Sequence, residues 1–509
     1  MSNHPILRFL RWHAQAISLG FALVGLLAAL LWMPSAPLAP RQSNSGAGPQ
    51  PPSLEGFPLQ PLPPGGGESE GVLALALEGV GYDAVERALA DGTLHNLARL
   101  AARGVWTSGL VPPSESAPPG LPWVLSTGHV PLPRPSEEPG AARLPSGDQT
   151  DCSARGPSVG GTDPLWRRAK EAGQQTTLVF WPEKVPPECL DSVAVHIAGL
   201  VQDLPAARYE VRLSPAQEWQ NLPESYSPPL QGVLRIADEE EERTRLYLLA
   251  LDRRNDGHIL YDHILLDSDR DAGEGGVMIR IGEWAEYPLL ADEGSGAAFH
   301  LLSISGGRDP VATVYRSSSY HLWAQPPAVR TGLEREVGPP SPPPDLEAWR
   351  QGWLGREQLV EMARRHSRWL RQTVQYLHEE HPTGLTLVRW TPLETALEAF
   401  QEVARDGQPE PRDLLRQVDQ ELGFLFQSVD LSRTAVVVFS THQALSLLPG
   451  DDRGAGVGPG FLVAAGPGLQ RGVRLGLWKV TDVAPFLAAL LGLPASGPLS
   501  PSVERALIP

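Results

Sequence analysis

The chain is poor in cysteine and lysine, and acidic residues outnumber basic ones. Only 2 of its 509 residues are cysteine, and lysine occurs only at Lys170, Lys184 and Lys479. The formal net charge is -17. Binding a phosphate backbone needs clustered Lys and Arg, so this charge argues against a nucleic-acid partner. The length exceeds one ordinary domain, and 41% hydrophobic residues are enough for a large core.

Charge is absent from one stretch near the amino terminus. No charged residue lies between Arg11 and Arg41, and Ala16–Met33 within it is mostly apolar. This run is close to the minimum length of a membrane span. Because Arg8 and Arg11 precede it, the positive-inside rule places the short tail in the cytoplasm. We therefore predict a single-pass membrane anchor over residues 1–33 and an extracytoplasmic folded part; a cleaved signal peptide is the alternative.

The next segment, residues 34–70, is dense in Pro, Gly and Ser and has no apolar periodicity. This composition predicts a semi-extended tether between the membrane and the folded part. Outside the cytoplasm, Cys152 and Cys189 would be in an oxidising compartment and could form a disulfide. Whether the two cysteines meet is left open by the sequence.

The first apolar run after the tether, Val72–Leu77, ends in the acidic residue Glu78. Its continuous apolar character predicts a strand covered on both faces in a parallel sheet. The stretches Tyr82–Ala90 and Leu94–Ala102 have helical character, and Val105–Leu110 is strand-like, so the region predicts a strand, helix, strand crossover. Ligands of open α/β sheets collect at the carboxyl ends of the strands, which makes Glu78 a candidate site residue.

A Pro-rich turn over residues 111–131 contains the serines Ser114 and Ser116, followed by Thr127 and Gly128. A hydroxyl at such a turn can act as a nucleophile when a metal ion or a base lowers its pKa. Ser and Pro also favour loops for purely conformational reasons. From the turn alone, both readings stay open.

The middle of the chain alternates short strand-like runs with turns, which predicts an antiparallel β insertion over residues 206–325. Arg254–Gly257 is a hairpin signal between two of the runs. Beyond the insertion, Gln358–His378 has strong helical periodicity, and His378 and His381 bracket two glutamates. That histidine pair could bind a metal ion, or it could simply favour the carboxyl end of a helix. The predicted strands are Tyr209–Leu213, Val233–Ala237, Arg245–Leu251, Ile259–Leu266, Val277–Ile281, Ala297–Ile304 and Val311–Tyr315.

Several motifs together resemble the type I phosphodiesterase and nucleotide pyrophosphatase branch of the alkaline phosphatase superfamily. They are the strand ending at Glu78, a helix with the pattern LxNLxxLxxxG ending at Gly104, the hydroxyl turn before Thr127-Gly128, the predicted strand Ala435–Ser440 followed by Thr441-His442, and the segments FLVAAGPGL (461–469) and TDVAPFLAALLGLP (481–494). The resemblance spans about residues 71–494. It implies an α/β fold with a mostly parallel sheet sandwiched by helices, built from 71–205 and 326–509, with 206–325 as a cap.

The resemblance also implies two metal ions, usually zinc, that bind a phosphate ester and activate a Ser or Thr nucleophile. Glu78 stands where the family has its first Asp. After the predicted strand Leu385–Trp390, Glu394 and Glu398 stand where the family has an Asp and a His. Thr441-His442 replaces an Asp-His pair, and no histidine follows His442.

The nucleophile position is open. The usual spacing falls on Pro118, whereas Ser116 fits only if the turn holds two extra residues, and Ser114 is the other candidate. The implied metal ligands are therefore Glu78, Glu394, Glu398 and His442, with His442 also a candidate acid or base.

Two functional hypotheses follow. The first is a catalytically impaired member, a pseudo-hydrolase whose metal ligands are largely substituted. The alternative is an active, divergent metal-dependent phosphodiesterase or phosphatase with a serine nucleophile. Loss of His ligands favours a harder cation than zinc, if any binds. Asp451 and Asp452 could supply missing carboxylates. The sequence names no protein partner.

Overall fold

The computed structural model describes residues 69–112, 121–128, 163–181, 190, 192–236, 244–273, 275–289, 295–403, 412–443, 458–494 and 499–508. Within these ranges, no helix is both long enough and apolar enough to cross a membrane. Several predicted features lie outside the described residues: the span Ala16–Met33, the tether up to residue 68, Ser114, Ser116, Pro118, Cys152, Cys189, Asp451 and Asp452.

The described strands and helices alternate at both ends of the chain, and strands dominate its middle. The strands are β1 (Gly71–Ala76), β2 (Val105–Thr107), β3 (Leu110–Val111), β4 (Thr176–Val179), β5 (Val195–Leu204), β6 (Ala207–Arg212), β7 (Ser214–Pro215), β8 (Leu230–Ile236), β9 (Thr244–Leu251), β10 (His263–Asp267), β11 (Val277–Arg280), β12 (Trp284–Tyr287), β13 (Ser295–Ile304), β14 (Val311–Arg316), β15 (Ser319–Gln325), β16 (Leu385–Arg389), β17 (Thr434–Gln443), β18 (Gly458–Ala465), β19 (Val473–Leu475) and β20 (Trp478–Lys479). The helices are α1 (Tyr82–Ala90), α2 (His95–Arg103), α3 (Leu121–Thr127), α4 (Leu165–Glu171), α5 (Pro327–Glu336), α6 (Leu346–Arg350), α7 (Arg356–Glu380), α8 (Pro392–Val403), α9 (Arg412–Ser428), α10 (Val483–Leu490) and α11 (Pro501–Glu504).

One large sheet organises the described residues, in the order β19-β2-β18-β17-β1-β16-β4-β5-β15-β13-β14-β6. Its centre, from β17 to β5, is parallel, with β1 between β16 and β17. On one flank β18 is antiparallel to β17, and on the other β15 is antiparallel to β5. The predicted mixed α/β class with a mostly parallel central sheet is confirmed by this topology.

The apolar run of β1 is buried on both faces, as its sequence predicts. Leu73 and Leu75 face a core that includes α7 and α9 residues, whereas Val72 and Ala74 face a second core that includes α10 residues. Helices therefore cover the two faces of the central sheet. The sheet is fixed from both sides, and the loops at its carboxyl edge are left to form a site.

The insertion is antiparallel, as predicted, but it does not form one separate unit. Strands β6 and β12 to β15 extend the large sheet, and β7 to β11 form a second sheet of five strands. The predicted strand Ile259–Leu266 begins only at His263. Ile259 and Leu260 are instead 71% and 52% exposed, in the connection after the Arg254–Gly257 turn. The predicted strand began too early because the prediction relied on apolar character alone.

The predicted strand Val105–Leu110 is also interrupted. It forms two short strands, β2 and β3, separated at Ser108 and Gly109. Gly109 has a φ of +146°, and the Ser108 amide donates to Leu475. The chain changes partners here, because β2 pairs with β19 and β3 pairs with β20.

Candidate functional site

The candidate site is the carboxyl edge of three adjacent parallel strands. Ala76 of β1 lies opposite Arg389 of β16 on one side and Phe439 of β17 on the other. Glu78 follows β1 by two residues, and Thr441 and His442 lie near the end of β17. The strand register therefore brings side chains that are far apart in the sequence to one edge.

Glu78, Thr441 and His442 form a buried hydrogen-bonded cluster. The Thr441 hydroxyl donates to Glu78 Oε2 at 2.7 Å and lies 2.9 Å from His442 Nδ1. Because a hydroxyl has one proton, donation to Glu78 leaves the Thr441 oxygen as acceptor of an Nδ1–H from His442. The His442 Nδ1 to Glu78 Oε2 distance is 3.5 Å. Thr441 thus connects the carboxylate to the imidazole and sets the histidine tautomer.

Glu394 approaches this cluster from the start of α8. Its Oε1 lies 3.9 Å from His442 Nε2, while its Oε2 accepts a hydrogen bond from the Arg389 guanidinium at 3.2 Å. The side chains of Arg389 and Glu394 are 19% and 29% exposed. A positive charge therefore neutralises the glutamate that comes nearest to the free nitrogen of the histidine.

Glu398, the other predicted ligand on α8, is engaged elsewhere. Its carboxylate lies 3.4 Å from Arg350 of α6, and both side chains are about half exposed. The described structure thus brings Glu78, Glu394 and His442 together but places the Glu398 side chain against a surface arginine.

Helix α3, which follows the predicted nucleophile turn, packs beside this edge. Trp181 donates its indole N–H to Ser126 at 3.1 Å, and its ring meets Phe439 of β17 edge-on. Gly128 has a φ of +78°, and a Cβ there would lie 2.9 Å from Pro485. These contacts hold the end of the hydroxyl turn against β17 and α10.

A two-metal centre does not fit the described residues. Two dications need several carboxylates and imidazoles to offset their repulsion. Within the described ranges, no group of three or more His, Cys, Asp or Glu residues is arranged to hold a metal ion. Glu78 is directed to Thr441, and Arg389 adds a positive charge beside Glu394. Binding a cation here would require these contacts to break.

The histidine pair at the end of α7 has a structural environment. Burial lowers the pKa of His378. The ring of His381, at the carboxyl end of the helix, meets Tyr376 edge-on with centroids 5.7 Å apart. Neither feature indicates that the two histidines act together as metal ligands.

No family model matches the chain, and no curated protein matches it by sequence. Similar solved structures include human ectonucleotide pyrophosphatase/phosphodiesterase 5, with 10% identity and a TM-score of 0.36 over 86% of this chain and 99% of that chain. A Bacteroides fragilis protein assigned as a sulfatase has 12% identity and a TM-score of 0.35 over 89% and 80% of the two chains. Ps i-CgsB, crystallised with a neocarrahexaose, has 11% identity and a TM-score of 0.35 over 84% and 73%.

These structures include a nucleotide pyrophosphatase/phosphodiesterase and a protein assigned as a sulfatase. Their identities are at most 12% and their TM-scores at most 0.36, so they carry no argument about superfamily, chemistry or substrate. The architecture described above rests on this chain's own strand order and register.

Arg389 is the site residue that sequence reasoning missed. It is the penultimate residue of the predicted strand 385–390, so the rule that sites form at carboxyl edges could have drawn attention to it. The family pattern did not, because that pattern directs attention to carboxylates and histidines.

Proposed function

We propose that this chain is a catalytically impaired member of the alkaline phosphatase superfamily, a pseudo-hydrolase of the type I phosphodiesterase kind. The observation that carries the proposal is the set of contacts around Thr441. A hydroxyl joins Glu78 to His442 at 2.7 and 2.9 Å, where the family resemblance implies an aspartate that binds metal. A hydroxyl cannot replace the charge of that aspartate.

The location proposed for this domain is the outer face of a membrane. Its support is the apolar run Ala16–Met33 with Arg8 and Arg11 before it, followed by the tether at residues 34–70. With that arrangement the carboxyl edge of the sheet would act as a binding surface for a phosphate ester or a protein outside the cytoplasm.

The alternative function is a divergent metal-dependent phosphodiesterase or phosphatase. One observation favours it: His442 Nε2 and Glu394 Oε1 lie 3.9 Å apart, close enough for both to approach one cation after a small movement. In that case Ser116 or Ser114 would be the nucleophile, and Glu78 would have to turn away from Thr441.

Hydrolysis of a chromogenic phosphodiester and a phosphomonoester distinguishes the two functions. The full-length chain would be assayed with added zinc, manganese or calcium, beside Glu78→Ala, Ser114→Ala and Ser116→Ala. The impaired function predicts that the wild-type rate equals that of Glu78→Ala in every metal. Glu398→Gln is the matched control, since Glu398 lies against Arg350.

Metal-dependent turnover that disappears in Glu78→Ala and in one serine variant, but survives in Glu398→Gln, would overturn the impaired function and establish the alternative.

A further inference from the structure

An open groove lies beside α1, α2 and β2. Its volume is about 430 Å³. Apolar groups supply much of its lining, including Leu89, Ala98, Ala101, Ala102 and Trp106, and Arg474 lies at its border. Small alanine side chains keep this surface concave.

The polar side chains at the border of the groove form hydrogen bonds with one another. Arg474 donates to Tyr82 and to Glu86, and its guanidinium carbon lies 4.5 Å from the centre of the Trp106 ring. Tyr82 and Trp106 are stacked at 6.1 Å. The groove therefore offers an aromatic and aliphatic surface whose neighbouring charges are paired.

An uncharged, Pro-rich peptide fits such a surface. Prolines in an extended left-handed helix dock against aromatic-lined grooves, and they lose little conformational entropy when they bind. A charged peptide would have to compete with the Arg474 to Glu86 pair.

The chain contains such a peptide in the segment preceding its first described residue. Residues 57–64 read FPLQPLPP, with no charge and with prolines three apart at Pro58, Pro61 and Pro64. Ser69 follows Pro64 by five residues, which span about 17 Å when extended.

The position of Ser69 makes the groove reachable. The Ser69 hydroxyl donates to Pro467, on the same connection as Gly472 of the groove. Strand β2 is three strands from β1 in the sheet order, or about 14 Å at the usual strand spacing.

From this reach and this chemistry, we propose that residues 57–64 of the chain dock in the Trp106 groove. The tether would then be divided in two, with its last part bound to the folded domain and only the residues before Phe57 left to span the distance to the membrane. This inference is independent of whether the chain hydrolyses a substrate.

The test compares the full-length chain with a variant in which residues 57–64 are replaced by Gly and Ser. Hydrogen exchange of the α2 amides at residues 98–102 is expected to be slower in the wild type. A fluorescent FPLQPLPP peptide added in trans is expected to bind the replacement variant. It should bind the wild type at least about tenfold more weakly, because a tethered segment has an effective concentration in the millimolar range.

Two further variants in the replacement background locate the binding. Trp106→Leu removes the aromatic surface, and Ala102→Arg places a long side chain in the groove from an exposed position. Both are expected to abolish peptide binding. Two outcomes would overturn the proposal: exchange that is identical in wild type and replacement variant, or peptide binding that is equally tight in both, which would assign the groove to another protein's Pro-rich segment.

Discussion

The buried carboxylates of Asp419 and Glu78 differ in the groups that donate hydrogen bonds to them. Asp419 accepts the backbone N–H groups of Asn96 and Leu97, at 2.8 and 2.9 Å, at the start of α2. Glu78 accepts mainly from the side-chain hydroxyl of Thr441. Backbone donors cannot move without unfolding a helix, whereas a hydroxyl and an imidazole can rotate toward a ligand. Asp419 therefore supports the fold, and Glu78 belongs to a site.

The largest expected effect is on folding, at Asp419. We expect Asp419→Ala to lower the free energy of unfolding by about 3 kcal/mol, because buried donors at the helix start lose their acceptor. Burial raises the pKa of Asp419 despite these donors. Urea denaturation measures the change, with Asp413→Ala, an exposed position on the same helix, as control. Equal losses of unfolding free energy in the two variants would show that Asp419 has no special role in stability.

A third buried group, His196, has neither kind of partner. Both of its ring nitrogens lack hydrogen bonds within the described structure, and burial lowers its pKa to about 4. Since the unfolded chain gains this proton near pH 6.5, stability should fall as the pH drops from about 6.5 to 4, by about 2 to 3 kcal/mol. His196→Leu should reduce that pH dependence in denaturation curves taken across this range. If the unfolding free energy of His196→Leu depends on pH as steeply as that of the wild type, His196 has a hydrogen-bond partner in solution.

The effect expected at Glu78 is smaller. Glu78→Gln keeps an oxygen to accept from Thr441, so we expect a loss of about 1 kcal/mol or less. The measurement is the same urea denaturation. The free energy of unfolding should be clearly higher for Glu78→Gln than for Asp419→Ala. A loss as large as that of Asp419→Ala would mean that Glu78 serves the fold.

The smallest change in stability is expected for Arg389→Met. The pair with Glu394 is partly exposed, and such pairs contribute about 1 kcal/mol or less. Removing the guanidinium should nevertheless raise the affinity for zinc, because it removes a positive charge beside Glu394 and His442 that would repel a cation. Calorimetric zinc titration of the two chains checks this, with Arg350→Met as control. Equal zinc affinity in wild type and Arg389→Met would show that Arg389 does not oppose a metal.

The sequence predicted the central fold well because that fold depends on long apolar runs. Val72–Leu77 and Ala435–Ser440 are short, continuous apolar runs, and such runs are typical of strands buried on both faces of a parallel sheet. Ile259 and Leu260 were wrongly assigned to a strand because the same criterion, apolar character, does not distinguish an exposed apolar pair from the start of a buried strand.

The candidate site was only partly predictable, because its geometry depends on contacts between distant residues. Position at the end of a strand pointed to Glu78, and the family resemblance pointed to His442. Nothing in the sequence indicates that Thr441 bonds to both, or that Arg389 rather than a metal ion is the partner of Glu394. The direction of the Glu398 side chain depends on Arg350, which lies on a different helix.

The most direct test of the central claim is the metal content of the full-length chain, measured by elemental analysis after equilibration with zinc and removal of free metal. The account predicts far less than one zinc per chain, with Glu78→Ala indistinguishable from wild type. Retention of about two zinc ions per chain, lost in Glu78→Ala, would contradict it and show that the contacts of Thr441 and Arg389 give way to a functional metal centre.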